Sequence, residues 1–346
     1  DSKPSDLAAP IWEVVPDGPP NSLPEQTIRL LARARFAVGA ATIGSRTTDC
    51  NFGIDFREMG AASQLPHVDG MVQLGRLLTL RGKLAESQGE WEEAAIIYFD
   101  GLRMGRHLTH QSTLIEALAG VEILRNQYYA LATWAVHCPA RLLVARAFGL
   151  LESMQAGLVD PSQVIAREAS ILALDFQRLE AAYPNGNWAR LILDSYGESV
   201  SGDPTKDRSS AIKTCIDRGV PEKVFESPEA FGEYLEALQS VGNRFVESAA
   251  ACMALPPKAR LKRAAALNRK YAMVIPVLAT DTLIDPAEIG ALFAQHEAEL
   301  TLARITLAVA ASRKDKTYPT SLDSVSARFG GSIPLDPVSY THLRAH

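Results

Sequence analysis

The sequence has few cysteines, no excess of positive charge and no long uncharged apolar run, and each shortage removes a class of protein. Only four cysteines occur in 346 residues, Cys50, Cys138, Cys215 and Cys252, widely spaced and without a CxxC pair. With HExxH missing as well, the spacings that mark strong metal sites are absent, and no cofactor is called for. Four thiols would allow three disulfide pairings in an oxidising compartment, but in a chain this long they read as buried apolar groups. Lysine and arginine number 35 against 40 aspartates and glutamates, a net charge of −5. No broad basic field exists to collect nucleic acid, so none is expected as a partner. The two most apolar regions, Ala130 to Leu151 and Tyr271 to Ala294, are interrupted by Arg141 and by Asp281 and Asp285. Neither reaches the roughly 20 apolar residues of a membrane span. The chain opens on Asp1, which reads as a processed product or fragment, so a membrane connection would come only through an N-terminal anchor missing from this sequence.

Strand signals are nearly absent as well, and the composition, 47% hydrophobic with 22% charged, is that of a globular core. The expected fold class is all-α, built from stacked antiparallel helical hairpins with a short C-terminal helix-turn tail. Prolines map the organisation. Pro4, Pro10, Pro16, Pro19, Pro20 and Pro24 make residues 1–23 an extended lead-in, whereas residues 67–138 contain none. In that window Met71, Leu74, Leu77, Leu78, Leu84 and Ala85 form one apolar stripe, and Trp91, Ala94, Ala95, Tyr98 and Leu102 a second. Gly89 breaks the helix between them, which predicts a hairpin.

Capping chemistry marks other starts: Thr113 with Glu116, Asp160 with Pro161 and Gln163, Ser227 before Pro228, and Asp285 with Pro286 and Glu288. The predicted helices are 112–133, 161–182, 228–253 and 286–314, with others at 24–42, 139–156 and 257–279, the last kinked or ended by Pro276. The turn-rich stretch from Pro184 to Asp207 reads as a loop at 184–207, dividing a helical-hairpin domain at 24–183 from a helical region at 208–315, and a tail follows at 316–337. Residues 338–346, VSYTHLRAH, resemble the translated read-through of a sequencing adaptor, which gives His342 and His346 no functional weight.

Gly89, Trp91, Ala94, Tyr98 and Gly101 resemble the second half of a tetratricopeptide unit, although no sustained repeat accompanies them. The resemblance implies close nesting of two helices near residues 69–108. Asp49-Cys50-Asn51-Phe52-Gly53-Ile54-Asp55, Leu65-Pro66-His67, Gly105-Arg106-His107-Leu108 and Ser112-Thr113-Leu114-Ile115 are similar to a family of uncharacterised bacterial proteins that are secreted or membrane-anchored. Lys316, Tyr318, Pro319, Ser321, Leu322 and Ile333-Pro334-Leu335-Asp336-Pro337 resemble the C-terminal pattern of type II secretion pseudopilins, also found in that envelope family. Pro319 is expected to stop one helix and Thr320 to cap the next. These resemblances imply a bacterial envelope location, periplasmic or membrane-anchored, with the cytoplasm as the alternative.

No catalytic constellation stands out. His107 and His110 lie one helical turn apart and, with His67, Glu116 or Cys138, are the candidates for a metal site in an alternative reading as a hydrolase. Glu116 is already accounted for as a cap partner, and Arg106 and His107 as helix-terminal cations. His137 and Cys138 are adjacent and diverge, and Gly197 to Gly202 has no strand to make it a nucleophile elbow. Glu92 with Glu93 and Glu297 with Glu299 read as solvated faces, Gly101 and Gly105 as a close-packing pair, and Trp188, Tyr183 and Tyr196 as loop anchors. The densest positive run, Lys258, Arg260, Lys262 and Arg263, is the candidate surface for an acidic protein partner. The function expected is noncatalytic: an interaction or scaffold protein with a protein or peptide partner. The remaining alternative is a pseudopilus-associated component dependent on Tyr318, Pro319 and Asp336.

Overall fold

The computed structural model describes residues 23–59, 63–111, 113–182, 212–213, 216–217, 220–271, 285–314 and 317–334. Cys215, Pro276, Asp336, the Pro184–Asp207 loop with its aromatics and Gly197–Gly202, and residues 338–346 lie outside them.

Where caps are written in the sequence, helices start. Thr113 and Glu116 form a complete capping box: the Thr113 hydroxyl accepts from the Glu116 amide at 3.1 Å while the Glu116 carboxylate accepts from the Thr113 amide at 3.0 Å. Ser227 accepts from the Ala230 amide, and Asp285 from those of Ala287 and Glu288. In order, the helices are α1 Glu25–Arg33, α2 Arg35–Ser45, α3 Phe56–Met59, α4 Pro66–Ser87, α5 Trp91–Thr109, α6 Leu114–His137, α7 Arg141–Met154, α8 Pro161–Ala182, α9 Pro228–Met253, α10 Pro257–Tyr271 and α11 Pro286–Ala311. Short 3-10 turns occur at Gln155–Gly157, Glu222–Phe225 and Leu322–Phe329. The fold is all-α: among the described residues the only β-type pairing is a bridge between Lys314 and Thr317.

Three local expectations need correction. The helix predicted at 24–42 is two helices that meet at Ala34, whose ψ of 3° bends the chain without glycine or proline. The cap of the last turn is Ser321, whose hydroxyl accepts from the Asp323 amide at 3.1 Å, and not Thr320. The expectation that no stretch reaches the length of a membrane span also changes: Arg141–Ile171 contains an 18-residue window of mean hydropathy 1.4 and is, by length and composition only, long and apolar enough to cross a membrane. As folded, it is interrupted at Gln155–Gly157 and restarts at Pro161; α7, at 14 residues, is about 21 Å long against a hydrocarbon core of about 30 Å.

The chain forms two compact units. The first comprises residues up to 54, 64–160 and from 292 onward, and the second 55–63 and 161–291. One division falls at Asp160–Pro161, and the chain returns to the first unit partway along α11.

In the first unit Gly89, at φ +76°, ends α4 in a Schellman turn: Glu90 N–H reaches the Ala85 carbonyl and Gly89 N–H that of Glu86, both at 2.9 Å. Past this turn the chain enters α5 at Trp91. The core contains the fully buried Leu78, Tyr98, Leu102, Leu124, Tyr128, Leu131 and Trp134, with the Trp134 indole donating to the Trp91 carbonyl at 3.0 Å. The C-terminal half of α4 is buried over most of its circumference, since Thr79, Lys83 and Glu86 are buried along with Leu77, Leu78, Leu80 and Ala85, while Arg81, Leu84 and Ser87 are partly exposed. It is a central helix rather than a one-faced amphipathic one. Glycines set its closest approaches: a Cβ at Gly82 would collide with the Tyr98 ring, and one at Gly75 would lie 2.9 Å from Ile123.

The tail is part of this core. Tyr318 donates its hydroxyl to the Val136 carbonyl at 3.0 Å, Val325 and Ile333 are buried, and Phe329 meets Phe148 edge-on at 5.6 Å. Burial of one Val or Ile side chain stabilises by about 1.5–3 kcal/mol. Truncation after Lys314 is therefore expected to lower the thermal midpoint of the whole first unit, read by circular dichroism, rather than to remove an independent appendage.

In the second unit α9 packs against α8, α10 and the Glu222–Phe225 turn, with Phe245 and Tyr271 edge-on at 5.1 Å. Cys252 is buried there and Cys138 in the first unit, while Cys50 is half-buried; all three are free thiols. For the two buried ones this is the apolar environment expected of them, and burial pushes their pKa up, away from reactivity.

Candidate docking groove

On α5 the residues Glu92, Ala95, Ile96, Phe99 and Arg103 recur at three- and four-residue steps and share one face. On α7 Leu143, Arg146, Ala147 and Leu150 do the same. A groove of about 760 Å³ lies between them, with Arg46, just past α2, at its margin. The buried Ala95, Phe99 and Ala147 make its floor. Ile96 and Leu150, 41% and 39% exposed, leave apolar wall open to solvent.

The polar groups of the groove are organised around Asp100, which is fully buried on α5. Arg46 donates to its two oxygens at 3.0 and 2.6 Å, and Arg103 donates at 2.7 Å from one turn further on. The Asp100 hydrogen bond and charge push the Arg46 pKa further up. Two guanidiniums thus share one carboxylate, leaving one net positive charge at this end. Arg146 faces Glu92 at 3.5 Å across the groove, an exposed pair of little energetic weight. Beyond Glu92 the groove adjoins a second hollow lined by Gly89, Glu90, Trp91, Glu92, Glu93 and Ile96. The site is therefore acidic at the N-terminal end of α5 and basic toward its C-terminal part.

Of the five candidate metal ligands the structure joins two. His67 Nε2–H donates to Glu116 Oε1 at 2.8 Å, and the His67 ring stacks on Phe52 at 4.0 Å. Since Glu116 Oε2 also accepts from the Thr113 amide and hydroxyl, this carboxylate ties the start of α4 to the start of α6. His107 bonds instead to the Ser45 carbonyl at 3.2 Å, and burial lowers its pKa. His110 turns back to the Arg106 carbonyl at 2.8 Å. Among the described residues, no three His, Cys, Asp or Glu side chains converge as a metal site would require.

The candidate basic surface is also altered. Lys258, Lys262 and Arg263 are exposed on α10, but Arg260 is 4% exposed and its Nε donates to the Leu255 carbonyl at 3.2 Å. Glu299 is half-buried and takes a bidentate pair from Arg125 at 2.5 and 2.8 Å.

That pair borders a group the sequence did not mark. His296 is 1% exposed, set against Tyr128 at 5.5 Å, and its Nδ1 has no hydrogen-bond partner, nor has the Tyr128 hydroxyl. Burial first, then the charge of Arg125, lowers its pKa to about 4. A depressed histidine is neutral in both folded and unfolded chains above about pH 6.5, so its contribution is fully present there. Between about pH 6.5 and pH 4 the unfolded chain binds the extra proton, and stability is expected to fall by up to about 1.4 kcal/mol per pH unit. Urea titrations of the unaltered chain and His296→Phe across that window check this, the variant showing a shallower slope.

The fold is all-α, and it carries an open cleft between two helices with apolar walls and charged margins. Comparison of the chain with protein-family models, curated proteins and solved structures finds no match in any of the three.

Proposed function

We propose that this chain is a noncatalytic protein-interaction protein of the bacterial envelope, and that its groove between α5 and α7 receives a helix of a partner protein. The observation that carries the reading is the pair of apolar rows facing one another across an open cleft, with Ile96 and Leu150 unfilled between arginine and glutamate margins. An amphipathic helix laid in such a groove buries anchors at i, i+3, i+4 and i+7. The lining on α5 runs from Glu92 to Arg103, about 16 Å at 1.5 Å per residue, which matches roughly three turns of a partner helix.

The envelope location rests on the resemblances around Asp49–Asp55 and in the tail. The tetratricopeptide-like reading of α4 and α5 is supported by the Gly89 turn and by the approach of Gly82 to Tyr98. The tail's residues Tyr318, Val325 and Ile333 serve the core, which favours a scaffold over a pseudopilus attachment point.

Affinity capture from envelope extract tests the proposal. A stoichiometric partner is expected, retained by Lys262→Glu in the second unit and lost on Ile96→Glu, which puts a charge into the cleft while circular dichroism shows the fold intact. Capture unaffected by Ile96→Glu, or no partner at all, would overturn it.

A further inference from the structure

We infer that the partner helix is acidic at its own N-terminus, basic at its C-terminus, and lies antiparallel to α5. The inference rests on the groove reading above and concerns the polarity of what fills it. Glu92 in the groove and Glu90 and Glu93 in the adjoining hollow sit at or before the first turn of α5; Arg146 faces Glu92, and the Arg46 guanidinium also feels the Glu93 charge, so three carboxylates here outnumber the one cation paired at this end. Two turns further on, Arg46 and Arg103 exceed Asp100 by one positive charge. A helix matching both ends carries lysine or arginine over Glu92 and Glu93 and carboxylates over Arg46 and Arg103. A helix is itself stabilised by carboxylates in its first turn and cations in its last, because these oppose its dipole. Intrinsic stability and charge complementarity therefore select the same orientation, with the partner's N-terminus over Arg103 and its C-terminus over Glu92.

Charge also explains why a helix is preferred to a small amphiphilic anion. An anion would use only the Arg46–Arg103 end and leave Glu92 and Glu93 unmatched.

The test uses the full chain and two synthetic 18-residue amphipathic peptides with the same leucine face. One has glutamates in its first turn and lysines in its last; in the other all of these are glutamine. Fluorescence anisotropy is expected to show the charged peptide binding at least tenfold tighter at low ionic strength, with the gap closing as salt screens the ends. A benzophenone at the N-terminus of the charged peptide is expected to crosslink near Arg103 and Arg46. Arg103→Glu should bring its affinity down to that of the glutamine peptide. Because that variant disturbs the Asp100 cluster, the salt dependence and crosslink position on the unaltered chain establish the orientation independently of it.

Equal binding of the two peptides, or a crosslink at the Glu92 end, would overturn the inference. Displacement of the charged peptide by decanoate at equal affinity would also overturn it, in favour of a small amphiphile. Failure of both peptides alongside an Ile96-dependent partner in the capture experiment would sink the polarity and leave the groove reading standing.

Discussion

Lys83→Ala is expected to destabilise the first unit by about 3–5 kcal/mol, the range found when one member of a buried ion pair is removed. Lys83 and Glu86 are each 4% exposed on the enclosed side of α4, with Nζ and Oε1 3.0 Å apart. Lys83 also donates to the Thr133 hydroxyl at 2.8 Å on α6, and the Tyr98 hydroxyl of α5 donates to Glu86. One charge pair thus joins three helices. Burial, followed by the Glu86 charge, pushes the Tyr98 pKa well up, so the phenol remains a donor. Without Lys83 the Glu86 carboxylate stays buried with one neutral donor and no compensating charge, and its Oε2 already lacks a partner. The same logic predicts rescue: Lys83→Met, Glu86→Leu and Tyr98→Phe together remove the charge pair and its phenol donor, leaving only the Thr133 hydroxyl, and should recover most of the loss. Thr133 tolerates this because its hydroxyl can also reach the Tyr129 and Ala130 carbonyls. Urea unfolding of the single and triple variants decides the matter. A loss below about 1 kcal/mol for Lys83→Ala would show that the pair is not held in a dry core.

This cluster also shows where sequence reading stops. Helix starts at Thr113, Ser227 and Asp285 were legible because a cap is a contact across three residues. Gly89 was legible because a positive φ at a helix end selects glycine. The apolar stripes of α4 and α5 were legible too, but a stripe reports only that one face is buried. The enclosure of Lys83 and Glu86 depends on α6 arriving about 50 positions later, and nothing local to them signals it. His67 and Glu116 are 49 residues apart, and their union could not be separated in sequence from other metal-ligand combinations. Arg260 looked like one more cation in an exposed run until its helix was oriented. The groove between α5 and α7 was missed for the same reason. Ile96, Leu143 and Leu150 look like ordinary core positions of two amphipathic helices, and only the gap between α5 and α7 leaves them open.

Glycine at the α5–α6 crossing supports the second large effect. A Cβ on Gly120 would lie 2.6 Å from the Gly105 carbonyl oxygen and 2.8 Å from both the Thr109 amide nitrogen and Cγ2. Two of those three atoms are backbone, so no rotamer change can clear them, and the helices must separate. The reciprocal position is equally close: a Cβ on Gly105 would sit 3.0 Å from the Gly120 carbonyl oxygen and 2.9 Å from Leu124. The separation would open the packing around Leu102, Leu124 and Tyr128, where side chains are fully buried and cannot follow. Gly120→Ala is therefore expected to cost about 3 kcal/mol, at the upper end of overpacking effects, despite the better helix propensity of alanine. Gly39→Ala supplies the opposite sign. Gly39 lies within α2, with nothing within 4 Å of the added methyl, so relief of the glycine entropy should stabilise by about 0.5–1 kcal/mol. Thermal unfolding of the two variants side by side separates propensity from contact. Were Gly120→Ala neutral while Gly39→Ala stabilised the chain, the α5–α6 crossing would have to be looser than a direct backbone contact.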